Sequence, residues 1–138
     1  MPLHHSNEQP KFLERLPRAP HFSARFVESI IEHFKTIDNS SIDFTNRPDM
    51  RIRRYKNNGR GFINAATLQW RSRNERFILS TALSEQEINS FNLRLERVIN
   101  DPLPSLLYVD NTLFNSHRDD ILKLLEYAAK NRRHPIHD

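Results

Sequence analysis

Cysteine is missing from this 138-residue chain, and with it go disulfides, thiolate metal sites and a cysteine nucleophile. Glycine is nearly missing: Gly59 and Gly61 are the only two, so no glycine-rich phosphate cradle of the P-loop or dinucleotide-binding kind can be built. No apolar run approaches the roughly 18 residues that a membrane span needs, and Met1 to Pro10 hold no apolar stretch of the secretory type. These absences lead to the expectation of a soluble, cytoplasmic protein. Seven histidines are present, yet none stands in an HExxH motif or shares a helix face with another at four-residue spacing. His134, His137 and Asp138 are close in sequence but follow the last helix and read as a solvated tail. No metal and no cofactor is expected.

The chain does have enough apolar material, 37% of residues with nine phenylalanines, to bury one core. Its charged fraction of 28% and mean hydropathy of −0.72 mark it as water-soluble. Residues 1–20 contain Pro2, Pro10, Pro17 and Pro20 without apolar periodicity and read as a flexible arm. Residues 21–133 read as a single α+β domain, and 134–138 as a tail.

Positive charge is concentrated in one place. Between Arg47 and Arg76 nine basic residues stand against Asp49 and Glu75, a local charge of +7. The remaining residues carry twelve basic and fifteen acidic groups, a charge of −3 within a total of +4. A cationic middle in a mildly acidic remainder produces a directional field and points to an anionic partner. Arginine outnumbers lysine sixteen to five, and arginine suits bidentate phosphate contacts and stacking on bases.

Phe22, Phe26, Ile30, Phe34 and Ile37 recur at three and four residues and predict an amphipathic helix from Ser23, with Ser23 as N-cap. Residues 41–45 predict a short strand. Met50 to Lys56 and Phe62 to Arg71 predict two strands joined across Asn58-Gly59, a strong hairpin signal. Arg76 to Leu83 predicts a third strand after the polar turn Ser72-Arg73-Asn74-Glu75. Ser84-Glu85-Gln86-Glu87 is a capping box, and Ile88, Phe91, Leu95, Val98 and Ile99 extend the helix it opens to residue 99. Leu106 to Val109 predicts a further short strand, and a last helix runs from about Ser116 to Asn131. The expected fold is therefore α+β: a three- or four-stranded antiparallel sheet over about 41–83, packed against one N-terminal and two C-terminal helices.

The basic strands carry the candidate anion site: Arg51, Arg53, Arg54, Tyr55, Lys56, Arg60, Arg71, Arg73 and Arg76. Strict alternation places Phe62, Ala66, Leu68 and Trp70 on one face, the core face. Tyr55 shares its face with Arg51 and Arg53, opposite Met50, Ile52 and Arg54, and is the candidate exposed aromatic. Basic side chains beside an exposed ring are a means of holding single-stranded nucleic acid, by neutralising phosphates and stacking bases. The expected function is a non-enzymatic nucleic-acid-binding or regulatory protein; charge that only protects strand edges from pairing is the plainer alternative. The partner is single-stranded DNA or RNA, or an acidic protein surface.

Local support for catalysis is absent. His33, Glu28 and Asp43 would have to be gathered by the fold to serve a metal-independent nuclease or a transferase, and the adjacent Asp119 and Asp120 point about 100° apart on a helix. The alternative is a protein-interaction module. Asp101-Pro102, Asn111-Thr112-Leu113-Phe114, the helix around Ile121 to Leu125 and His134-Pro135 resemble part of a U-box, the ubiquitin-ligase domain that docks a ubiquitin-conjugating enzyme, over about a quarter of the chain. That resemblance implies a partner surface at Leu106, Leu107, Phe114 and Pro135. Limited proteolysis is expected to remove the first fifteen or so residues while Ser23 to Asn131 resists; early cleavage inside 84–100 with an intact amino terminus contradicts this organisation.

Overall fold

Apolar residues spaced by three and four give helix α1 (Phe22–Phe34) an apolar stripe, and Phe22, Phe26, Val27, Ile30 and Phe34 are all buried along it. These and the following features come from a computed structural model that describes residues 21–44, 49–56, 61–100 and 103–131. The arm, the tail and the Asn58-Gly59 turn lie outside the described residues. The N-cap of α1 is His21 rather than Ser23: the His21 Nδ1 accepts the Ser23 backbone N–H at 3.2 Å, so an imidazole does what the hydroxyl was expected to do. Ser23 is instead buried in the first turn.

Six strands follow among the described residues: β1 (Ser40–Phe44), β2 (Asp49–Tyr55), β3 (Phe62–Arg71), β4 (Arg76–Thr81), β5 (Arg97–Val98) and β6 (Ser105–Val109). They form one antiparallel sheet in the order β1-β2-β3-β4-β6-β5. The expected three or four strands are thus too few. The strand foreseen at 106–109 joins the same sheet beside β4, and β5 lies inside the stretch that apolar spacing assigned to a helix.

That helix, α2 (Glu85–Asn89), lasts little more than one turn. Its capping box forms as the sequence predicts: the Ser84 Oγ accepts the Glu87 N–H at 3.2 Å and the Glu87 Oε1 accepts the Ser84 N–H at 3.0 Å. Asn92, at φ +61°, then takes the left-handed conformation that ends helices, and the chain leaves as an extended loop. Leu93 is buried and Leu95 packs on the core, so the apolar spacing was real but did not belong to a helix.

Helix α3 (Asn111–Asn131) starts earlier than expected because Asp110 caps it, accepting the Leu113 N–H at 2.9 Å. At His117 (φ −131°, ψ 26°) the helix kinks, next to the Ser116 start that the sequence predicts. The His117 Nδ1 lies 3.1 Å from the Asp120 carboxylate, bridging the first turn of the second segment.

Helices α1 and α3 cover one face of the sheet. Phe44, Met50, Ile52, Ala66, Leu68, Trp70, Phe77, Leu79, Leu107 and Val109 point into the core beneath them. At its centre Phe22, Phe26, Trp70, Phe77 and Phe114 meet edge to face or tilted, with Trp70 and Phe77 centroids 5.0 Å apart and Phe26 5.4 Å from both Phe77 and Phe114. Two buried hydroxyls beside this core are satisfied: the Thr81 Oγ1 accepts the Leu83 N–H, and the Ser105 Oγ donates to the Leu83 carbonyl. Among the described residues no helix is long and apolar enough to cross a membrane.

Trp70 is 4% exposed in this cluster, so Trp70→Ala should destabilise the fold by about 3–5 kcal/mol, as large core truncations do; unchanged denaturant unfolding contradicts the packing described. Stability should also fall in acid. Hydrogen bonds from the Ser84 amide and the Tyr127 hydroxyl lower the Glu87 pKa below the ordinary 4.5. Lys130, and then His33, likewise lower Glu126. Carboxylates with depressed folded-state pKa values stabilise fully above 4.5, and the contribution disappears as pH falls through the folded values. Urea midpoints should drop from pH 5 towards pH 3, and drop less in Glu87→Gln/Glu126→Gln; an equal drop in the double variant counts against both links.

Candidate nucleic-acid interface

The register across the sheet decides which side chains share the face away from the helices. Asp43 pairs with Arg51, Arg51 with Thr67, Thr67 with Ser80 and Ser80 with Leu106, giving one row across that face. Arg53 opposes Ser41 and Asn64 in the next row, and Tyr55 opposes Phe62 beyond it. Arg51, Arg53 and Tyr55 therefore do share a face, as the alternation of β2 predicts.

Phe62 joins them against expectation. Between Ile52 and Arg53 the pairing slips: Ile52 opposes Ala66, whereas Arg53 opposes Asn64, leaving Ala65 as an extra residue on β3. Such a bulge puts two residues opposite one and reverses the alternation beyond it. Trp70, Leu68 and Ala66 stay on the core side, Ile63 replaces Phe62 there, and Phe62 crosses to the other face. The signal was present in the sequence, because apolar residues run Ile63, Ala65 in one phase and Ala66, Leu68, Trp70 in the other.

The result is a stack of cation and rings. The Arg53 guanidinium lies over Phe62, 4.3 Å from its centroid, and the Tyr55 and Phe62 centroids are 4.3 Å apart at 35°. The Arg53 Nε is out of contact with solvent and has no hydrogen-bond partner. Arg51 forms a 3.6 Å ion pair with Asp43 and is 44% exposed; a pair of this kind contributes little, so its guanidinium is available for exchange. Arg71 is exposed on the same face and donates to the Gln69 amide oxygen at 3.1 Å.

The other predicted site residues scatter. Arg54 faces the core side, is 6% exposed and donates to the Tyr55 carbonyl at 2.8 Å. With Lys56 and Lys130 it lines a cavity of about 590 Å³ that Ile37, Asp38 and Ala129 also border, where α1 and α3 end. Helix C-termini favour a cation, which accounts for a guanidinium in this place without a ligand. Arg73 is exposed in the turn between β3 and β4. Arg76 stacks on Tyr108, 3.8 Å from its centroid, and its Nε too is buried and unpartnered. Arg60 lies outside the described residues.

Of the residues proposed for a protein partner, Leu106, Leu107 and Phe114 are each under 5% exposed, and Pro135 lies outside the described residues. Leu107 and Phe114 belong to the core under the helices, and Leu106, on the face away from them, is buried apart from that core. His33 and Asp43 are not brought together: Asp43 faces away from the helices beside Arg51, while the His33 Nε2 meets the Glu126 carboxylate at 2.9 Å between α1 and α3. Among the described residues no three His, Asp or Glu side chains group as a metal site. Comparison with known protein families, curated proteins and solved structures finds no match for this chain.

Proposed function

We propose that the protein binds single-stranded nucleic acid on the face of its sheet that the helices leave uncovered. The observation that carries the reading is the cluster formed by Arg51, Arg53, Tyr55 and Phe62, which the β3 bulge assembles on one side of a basic hairpin. Guanidinium groups neutralise backbone phosphates, and an aromatic ring beside them offers a π-face to any base. Arg53 rests over Phe62, so part of its freedom is already lost before a phosphate arrives. Asp43 and Asp49 on the same face limit the field to a stripe led by Arg51, Arg53 and Arg71 rather than a uniform basic surface.

A gel-shift titration at two salt concentrations tests this. Binding should weaken with a log-log slope of about −0.7 per phosphate neutralised on a single strand. Arg51→Gln, Arg53→Gln and Arg71→Gln together should flatten the slope by about two units. Tyr55→Ala should weaken single-strand binding by a further ~1–3 kcal/mol and leave duplex binding little changed. No complex with either strand form at low salt refutes the reading and leaves an acidic protein surface as the partner that the charge implies.

A further inference from the structure

The Arg76–Tyr108 pair repeats the arrangement of Arg53 on Phe62, on the same side of the sheet but across the β4–β6 seam. From strand spacings of about 4.8 Å and a rise of about 3.3 Å per residue, Tyr108 lies roughly 25 Å diagonally from Tyr55. Beside Tyr108 a cavity of about 420 Å³ opens where the sheet meets the start of α3. Arg76, Arg94, Glu96, Tyr108, Asp110 and His117 contribute to its walls. A volume of this size is in the range of small-ligand sites.

The charges in the cavity are mixed, which distinguishes it from the stripe around Arg51. Two arginines and two acidic residues line it. Asp110 is committed to capping α3 through the Leu113 N–H, whereas Glu96 is exposed at the rim. A bare phosphate would meet repulsion from Glu96. A nucleotide is different, because it brings a phosphate for Arg94, a base that can stack against an arginine–tyrosine pair, and in some bases an exocyclic amino group that a Glu carboxylate accepts.

We infer that this cavity holds one nucleotide of the bound strand and selects a base bearing an exocyclic amino group, with Arg76 and Tyr108 as the stacking platform and Glu96 as the acceptor. The inference rests on the single-strand reading of the same face. A strand of about 12 nucleotides, within the 4–16 that single-strand sites cover, reaches both ring clusters.

Fluorescence anisotropy with labelled oligo-dC and oligo-dT of that length at neutral pH decides the matter together with the Glu96 variant, since both are pyrimidines and cytosine carries an exocyclic amino group where thymine has a carbonyl oxygen. The expected result is about tenfold tighter binding of oligo-dC, the size of one hydrogen bond to a charged acceptor. Glu96→Ala, a change at an exposed side chain, should bring that ratio close to one with unaltered thermal unfolding. Arg76→Gln should weaken both oligomers, and Tyr55→Ala should weaken both while preserving the ratio. Equal, strong binding of the two oligomers by the wild-type protein, or a ratio that survives Glu96→Ala, overturns the nucleotide pocket and leaves the single-strand reading standing. Failure of both oligomers to bind removes that reading and the pocket with it.

Discussion

A sheet whose described helices all lie on one side has to sort every strand into two populations, and among the described residues the sorting is broken at Ala65. The side-chain period of a strand is two, so one extra residue exchanges the faces of everything beyond it. On the Trp70 side of the bulge the large rings go under α1 and α3 and form the aromatic centre of the core. On the Phe62 side the large ring goes outward and meets Tyr55 and Arg53. Both Ala65 and Ala66 are fully buried, consistent with a place where the backbone must turn without room for larger side chains. The core and the candidate interface are in this sense set by the same residue.

The positive charge of the middle segment divides along the same line. Arg51, Arg53 and Arg71 occupy the uncovered face, while Arg54 goes inward to a region bordered by the ends of two helices. A charge count along the sequence weighs these equally, but physically they differ: a buried guanidinium next to helix C-termini is already compensated, whereas an exposed one in a weak surface pair can exchange its partner at little cost.

The sequence was most legible where one interaction was local. The capping box of Ser84 and Glu87 and the stripe of α1 depend on residues within a few positions of each other, and they formed as their patterns imply; β2 and β3 pair antiparallel as expected, although the turn between them lies outside the described residues. It was least legible where distant contacts decided. The spacing of Ile88, Phe91, Leu95 and Val98 satisfies a helix, yet Asn92 turns left-handed and β5 pairs with a strand that follows it in sequence. Tyr108 and Arg94 could not be placed beside Arg76 from the sequence, because β6 reaches β4 only after a long excursion. Phe62 is an intermediate case, since the change of apolar phase at Ala65 and Ala66 could be seen, but strict alternation hid it.

The order of the strands also bears on how the molecule assembles. The meander β1-β2-β3-β4 closes through short connections, with small losses of chain entropy at each step. The β4–β6 pairing joins residues such as Thr81 and Ser105, two dozen positions apart, and must wait for α2 and the following loop to find their places. Ser105, whose hydroxyl reaches back to the Leu83 carbonyl, is the latch of that late step. The first ring cluster thus belongs to the part of the sheet joined by short connections, and the Arg76–Tyr108 cavity to a joint made across a long one. In the native state β6 is hydrogen-bonded on both sides, by β4 and by β5, so the strands whose amides lie at the margins of the sheet are β1 and β5.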